Sequence, residues 1–250
     1  MTAEEILNAV SSDPKIAELV KLIEQTSASF DDANRYSIQA SRLIGDLLSK
    51  LIPQVAMKDR EELCILILRG EHQNINRLLS IIQKRIDAKN GIHIRPKIAE
   101  FPFDRAQKIA RSLADATVPE ETIQRRANTG IENVCRSLQD DYYKTNAAFR
   151  YDAGIESYIV RVSSGKCCAW CDAIAGRYVY SKSMPKDVFR RHDNCGCTVT
   201  YESGRQRQNV WTKKSWTVPA VGAGTDEPTR MTEQQMQNAI EKNKLRKLAA

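Results

Sequence analysis

The feature that most constrains how this chain folds is a cluster of thiols and one imidazole between Cys167 and Cys197. It holds five of the seven cysteines and one of the three histidines. They form two short motifs separated by 20 residues, Cys168-Ala-Trp-Cys171 and His192-Asp-Asn-Cys195-Gly-Cys197. A tetrahedral zinc ion takes four ligands of this kind, and a CxxC turn supplies two of them without distorting the backbone. The spacing predicts a small module folded around one zinc ion.

Five side chains of the cluster are candidates for the four positions around that ion. In one set all four ligands are thiolates, and in the other the imidazole replaces one of the last two thiolates. Gly196 permits the tight turn that two thiols separated by one residue need if they bind the same ion. The candidate ligands are Cys168, Cys171, His192, Cys195 and Cys197.

The charge of such a site predicts a structural role. Four thiolates on zinc leave a net charge of about −2, which Arg190 and Arg191, directly before the second motif, would offset. His192 would then donate a hydrogen bond to a ligand. Four protein ligands also leave no open position for water or a substrate. The alternative is that the thiols are simply buried, or that they pair as disulfides.

Cysteine usage and the first residues favour synthesis in a reducing cytoplasm. The number of cysteines is odd, and Cys64 and Cys135 stand alone in helical sequence, unlike the cysteines of a secreted disulfide framework. The chain starts with acidic residues where a signal peptide needs positive charge. The longest apolar run, 63–68, is far too short to span a bilayer. We therefore expect no membrane partner.

Residues 1–150 have the pattern of a helical domain, and their local signals predict several helix ends. Asp13 and Pro14 are suited to an N-cap and a first helical position. Apolar residues then recur at spacings of three and four, which indicates amphipathic helices. The pattern predicts a helix that ends before Pro53, helices at 59–69 and 71–88, a stop at Asn90-Gly91, a connector over 92–102, and helices from Asp104 to about 149 with a pause at 117–119.

The period changes to that of strands in residues 151–218, which also hold most of the aromatic side chains. Tyr158–Val162 alternates as a strand does, 177–180 and 198–201 are further strand candidates, and 185–191 suits a short helix. A unit of this size has little core of its own, so a metal ion would supply much of its folding free energy.

The remaining residues predict a linker and a tail. Glycine and proline mark 219–231 as a linker, and a capping box at Thr232 predicts a C-terminal helix over 232–250. The fold class expected for the whole chain is α+β: a mainly helical N-terminal region, a small β-rich Cys/His module resembling a zinc knuckle, and a C-terminal helix.

About 40 residues of the module resemble a known family. Arg161, the CxxC motif, Gly176 and the HxxCxC motif followed by the strand residues 198–200 are similar to the C-terminal motif of the phage Mu F-like minor head proteins, also called head morphogenesis proteins. A helical region before this motif is similar to that family as well. Cys167 and residues 206–216 depart from the shared pattern.

The resemblance implies a structural minor head (capsid) protein of a tailed phage. Such a protein would be made in the host cytoplasm and act in head assembly near the portal vertex of the virion. Its partners would be the portal and capsid proteins, and it would contact packaged DNA. The resemblance implies no small-molecule substrate.

A basic segment after the second motif predicts contact with nucleic acid. Over 177–218, nine basic residues against three acidic ones give a net charge of +6, and tryptophans are interleaved with them. Basic side chains bind phosphates and aromatic rings stack on bases, although a solvated face beside a small core has the same composition. The candidate nucleic-acid-binding residues are Arg190, Arg191, Arg205, Arg207, Trp211, Lys213, Lys214 and Trp216.

Enzyme classes fit the motifs less well than a structural protein does. A His-Asn nuclease needs a further metal-binding residue downstream, and no histidine follows His192. A zinc deaminase needs His-x-Glu before its cysteine pair, which is the reverse of the order found. We therefore expect no catalytic residues. The alternative function is a zinc-knuckle regulatory protein that binds nucleic acid.

Overall fold

A computed structural model describes residues 2–164, 168–192 and 195–202, and of 203, 205–208 and 215–218 the backbone. The chain divides into two compact units. The helical unit comprises Met1–Gln83 and Ile98–Tyr142, and the second unit comprises Lys84–Lys97 and Tyr143–Ala250. The predicted domain boundaries are not decided by this division and stay predictions.

The described residues have the predicted α+β architecture, mostly helical with a small antiparallel sheet. Short 3-10 helices lie at Ile52–Gln54 and Lys186–Phe189. The α-helices are α1 Ala3–Ser12, α2 Pro14–Gln25, α3 Phe30–Leu51, α4 Met57–Lys89, α5 Phe103–Leu113, α6 Glu120–Asp152 and α7 Ala169–Ala173. The strands are β1 Ser157–Val162, β2 Gly176–Val179, β3 Thr198–Ser203, β4 Arg205–Gln208 and β5 Ser215–Val218.

Several predicted helix ends are confirmed because their signals are local. Asp13 caps α2, and its carboxylate accepts hydrogen bonds from the backbone N–H groups of Lys15 and Ile16. Gly91 ends α4 with a positive φ of 73°, a conformation that glycine adopts without steric cost. The connector over 92–102 has no regular secondary structure, as expected.

The prediction of two helices over 59–69 and 71–88 is wrong, because α4 is continuous through Gly70. A Cβ atom at this position would lie 2.3 Å from Cδ1 of Leu7 on α1. The glycine therefore allows a side chain of another helix to pack closely, and it does not break α4. Sequence alone does not distinguish these two uses of a helical glycine.

Apolar side chains spaced by three and four form the core of the helical unit. Ile6, Ile44, Leu68 and Ile131, from four different helices, are all fully buried. Glu71 is also fully buried there, and its Oε2 accepts a hydrogen bond from Tyr36 Oη at 3.3 Å. Burial is the main cause that raises the Glu71 pKa to about 8, so this acid is neutral at pH 7.

A buried ion pair holds the helical residues of the second unit. Arg150 on α6 donates to the carboxylate of Asp87 on α4, and both side chains are almost completely buried. Arg150 Nη1 also donates to Asn146 Oδ1 at 3.0 Å. The Asn146 amide in turn bonds both the N–H and the C=O of Lys97 at 2.8 Å. The ring of Tyr201 on β3 lies below the Arg150 guanidinium, 5.7 Å away.

A three-stranded antiparallel sheet with the order β2-β1-β3 forms the centre of the Cys/His module, which we define as residues 157–203. In β1, Ile159 and Arg161 are buried while Val162 is exposed. Arg161 pairs with Gly176 of β2, and Val162 pairs with Thr198 of β3. β1 therefore ends where both neighbouring strands begin, so the two Cys/His motifs lie at one end of the sheet.

Residues 205–208 and 215–218, in which no strand was predicted, form an antiparallel pair of their own. The predicted linker over 219–231 and the predicted C-terminal helix over 232–250 lie outside the described residues.

Candidate metal centre

The first motif places two thiols on one turn of helix. Cys168 is the N-cap of α7, and its carbonyl accepts a hydrogen bond from the N–H of Asp172. Because Cys168 and Cys171 are three residues apart, this turn brings their thiols to the same side. Cys171 is completely buried, whereas Cys168 is partly exposed.

The second motif folds back over the same end of the sheet. A turn closed by the hydrogen bond from Cys195 N–H to the His192 carbonyl brings residue 195 back toward the backbone of His192. A Cβ atom on Gly196 would lie 2.9 Å from Oγ of Ser164, so the Ser164 side chain packs closely against the backbone here. Arg191 Nη1 fixes the end of the motif by donating to the Cys197 carbonyl at 2.8 Å.

All five predicted ligands come together around Cys171. The His192 Nε2 atom lies 3.0 Å from Cys171 Sγ and 3.4 Å from Cys168 Sγ. Cys195 Sγ lies 3.8 Å from Cys171 Sγ. Two groups of three donor atoms, each mutually within 4.8 Å, share Cys171: Cys168, Cys171 and His192 form one, and Cys171, Cys195 and Cys197 the other. This cluster has the composition and proximity of a metal site.

The buried sulfurs are thiols and not disulfides. The six cysteines that the structure describes are all free, and the 3.8 Å between the Cys171 and Cys195 sulfurs is far longer than an S–S bond of about 2.05 Å. Cys64 and Cys135 are buried in the helical unit. Desolvation raises the Cys64 pKa to about 12, so this thiol behaves as a small apolar side chain.

Arg161 reaches the cluster from the buried face of β1. Its Nη2 donates toward Cys195 Sγ at 3.5 Å and Cys171 Sγ at 3.8 Å. Its Nη1 donates to the carbonyls of Val188 and Arg190, at 2.7 and 2.9 Å. The ring of Trp170 lies 5.5 Å from its guanidinium carbon and makes an edge contact with His192. Only 1% of the Arg161 side chain is exposed.

Two touching thiols have opposite pKa shifts. Burial, with the nearby thiols of Cys195 and Cys197, raises the pKa of Cys171 well above its ordinary value. Burial also acts to raise the pKa of Cys195, but the Cys197 N–H and the charges of Arg191 and Arg161 outweigh it and lower that pKa. Cys195 is therefore the sulfur more readily present as a thiolate, the form that binds a metal.

Sequence reasoning missed two residues of the site. In the sequence Arg161 is only a residue of the family motif, and Trp170 is only a residue between two cysteines. The alternation in β1 places Arg161 on the same face as Ile159, but only the structure shows that this face is the buried one. A charged residue on the buried face of a strand indicates an anionic partner nearby.

The candidate nucleic-acid-binding residues are described only in part. Arg190 is an exposed side chain that pairs with Asp187 at 3.6 Å, whereas Arg191 is half-buried against Cys197. The backbone register pairs position 207 of β4 with position 216 of β5, and position 205 with position 218. Residues Trp211, Lys213 and Lys214 lie outside the described residues.

Comparison of the chain with family models, curated proteins and solved structures finds no match. The resemblance to the Mu F-like minor head proteins therefore depends on the motif residues alone. Among the described residues, no helix combines the length and apolar character that crossing a membrane requires.

Proposed function

We propose that this chain is a structural minor head protein of a tailed phage, with a Cys/His module closed by one zinc ion. The observation that carries the proposal is the convergence of Cys168, Cys171, His192, Cys195 and Cys197 on one site. These are the residues on which the family resemblance depends. They come from two motifs separated by 20 residues, and the strand register brings those motifs to the same end of the sheet.

Two distances in the cluster match those of a zinc site, whereas the 3.0 Å between His192 Nε2 and Cys171 Sγ is shorter than two ligands of one ion require. Zn–S bonds of about 2.3 Å at tetrahedral angles put two sulfurs about 3.8 Å apart, and a sulfur and an imidazole nitrogen about 3.5 Å apart. The Cys171–Cys195 sulfur distance is 3.8 Å, and His192 Nε2 lies 3.4 Å from Cys168 Sγ. These donors are soft or borderline ligands, which favours zinc over magnesium or calcium.

The ligand set that we propose is Cys168, Cys171, Cys195 and Cys197, or the same set with His192 in place of Cys195 or Cys197. Cys171 belongs to both groups of three donors, so it is a ligand in either arrangement. With four protein ligands the ion has no open position. Its role is then to stiffen the module as a building part of the virion.

Metal analysis tests the zinc site. Protein purified without chelator should contain one equivalent of zinc, and Cys171→Ser should contain much less. Cys64→Ala, which removes a buried thiol in the helical unit, should keep the full equivalent. Zinc-free wild-type protein with disulfides between these cysteines would contradict the proposal.

Association with virion proteins tests the head assignment. The chain, produced from its native genome with an affinity tag, should co-purify with a portal protein and a capsid protein and should be present in purified particles. We expect contact with packaged DNA at the portal vertex. Absence from particles, in cells that assemble complete heads, would contradict this assignment.

A zinc-knuckle regulatory protein that binds nucleic acid is the second candidate. One observation favours it: β4 and β5 pair position 207, an arginine, with position 216, a tryptophan, and such a pair combines phosphate and base recognition. This protein would bind a defined sequence in solution without any capsid protein. Its affinity should fall steeply with salt, and a flat salt response would exclude phosphate contacts.

A further inference from the structure

We infer that Arg161 is the positioning residue of the metal site: it supplies the buried counter-charge to the thiolates and ties the two ligand-bearing segments to the sheet. This inference depends on the proposed zinc site. It adds a residue that contacts the ligands without binding the ion itself.

The burial of Arg161 requires an anion. A guanidinium is charged at all physiological pH values, and burying it without an anionic partner is very unfavourable. Among the residues that the structure describes, its side-chain hydrogen bonds go to two carbonyls and two sulfurs, and no carboxylate is among them. The sulfurs of Cys171 and Cys195 can become anionic, and they do so when they bind zinc.

Both candidate ligand sets carry the charge that Arg161 offsets. Zinc with three thiolates and one imidazole has a net charge of about −1, and zinc with four thiolates about −2. Arg161 cancels the first charge completely and halves the second. In the four-thiolate set, half-buried Arg191, close to Cys195 and bonded to the Cys197 carbonyl, supplies the other positive charge.

The planar fork of the guanidinium explains why an arginine is needed. Nη1 holds the carbonyls of residues 188 and 190, just before His192, while Nη2 holds one sulfur from each motif. One rigid group therefore links β1 to both halves of the site. A lysine has the same charge, but its single ammonium group cannot bond the two carbonyls and the two sulfurs at once, as the planar guanidinium does.

Three variants test the inference. Arg161→Met removes the charge and the fork, Arg161→Lys keeps only the charge, and Arg177→Met is the control in the neighbouring strand. Arg177 pairs with Glu202 at 2.7 Å and lies over the Tyr158 ring, so it is an arginine of the same sheet whose partners lie away from the thiols. Zinc affinity is measured by competition with a chromogenic chelator, and cobalt is used as a spectroscopic probe of the thiolates.

The expected zinc dissociation constant rises at least tenfold in Arg161→Met, and by less in Arg161→Lys, because residues that support metal ligands contribute about 10–100-fold in affinity. The thiolate-to-cobalt absorption band should shift in both variants and not in Arg177→Met. Arg161→Met should also lower the Tm of the zinc-loaded protein. A purely structural arginine would lower that Tm as well, but its loss would leave the cobalt absorption band unchanged.

Two outcomes overturn the inference, and they are distinguishable. Wild-type affinity and an unchanged cobalt spectrum in both Arg161 variants would show that the arginine does not act on the site, while the zinc site itself stands. Failure of the wild-type chain to bind zinc or cobalt would remove the proposed site and this inference together. If Arg161→Met does not fold, Arg161→Lys provides the same two measurements.

Discussion

The two units of this chain differ in what they bury. The largest fully buried side chains of the second unit are Arg150, Arg161 and Tyr143, whereas those of the helical unit are Tyr142, isoleucines and leucines. The helical unit also buries an acid, Glu71, which is neutral at pH 7 because its pKa is raised to about 8. The stability of the helical unit therefore comes mainly from buried apolar area. The second unit depends on buried charge pairs, and removing one partner of such a pair lowers stability strongly.

The largest difference should appear when the metal is removed. A structural zinc ion contributes on the order of 10 kcal/mol to small domains, so EDTA or Cys171→Ser should unfold the Cys/His module. The helical unit should keep its structure because its core has no ligand in it. Hydrogen exchange should show fast exchange in β1–β3 and unchanged protection in α3. Equal loss of protection in β1–β3 and in α3 would refute this independence. Cys64→Ala is the control, because it removes a thiol of the helical unit and leaves the proposed ligands in place.

The next largest effect is expected at the buried pair of Arg150 and Asp87. Arg150→Met leaves the Asp87 carboxylate buried without its cation, which typically costs about 3–5 kcal/mol in the free energy of unfolding. The double variant Asp87→Leu/Arg150→Met removes both charges and should recover most of the loss. Chemical denaturation of the three proteins in saturating zinc measures this. A double variant as unstable as the single one would mean that packing, and not charge, dominates.

Glu71 should make the stability of the helical unit depend on pH. Its native pKa is raised from 4.5 to about 8, so between these values the folded chain keeps a proton that the unfolded chain releases. The stabilising contribution is complete below pH 4.5 and is lost as pH rises toward 8, at up to about 1.4 kcal/mol per pH unit. Glu71→Gln should remove this slope, while Glu62→Gln, an exposed site on the same helix, should keep it. The measurement is the free energy of unfolding from chemical denaturation between pH 5 and 8. The same dependence on pH in wild type and Glu71→Gln would show that Glu71 is not its cause.

The same contrast explains what the sequence could predict. Helix ends at Asp13 and Gly91 follow from signals within a few residues, so they are readable without a structure. The convergence of the five Cys/His side chains was also predictable, because their spacing is itself the signal. The structural roles of Gly70 and Arg161 could not be predicted, because they depend on contacts with residues distant in the sequence. Gly70 contacts Leu7, and Arg161 contacts the thiols.

The smallest expected effects concern two helical glycines, and they sharpen the point about distant contacts. In both, alanine would gain up to about 1 kcal/mol from helix propensity. At Gly45 a Cβ would lie 3.0 Å from the backbone Cα of Asn128 on α6, so α3 must shift to make room for it. Gly45→Ala should therefore lower the free energy of unfolding by a net value of about 1–2 kcal/mol. At Gly70 the nearest atom is the tip of the Leu7 side chain, which can rotate away, so Gly70→Ala should be close to neutral. Thermal unfolding of the two variants tests this order, and a Gly70 variant less stable than the Gly45 variant would show that Leu7 is fixed by its own packing.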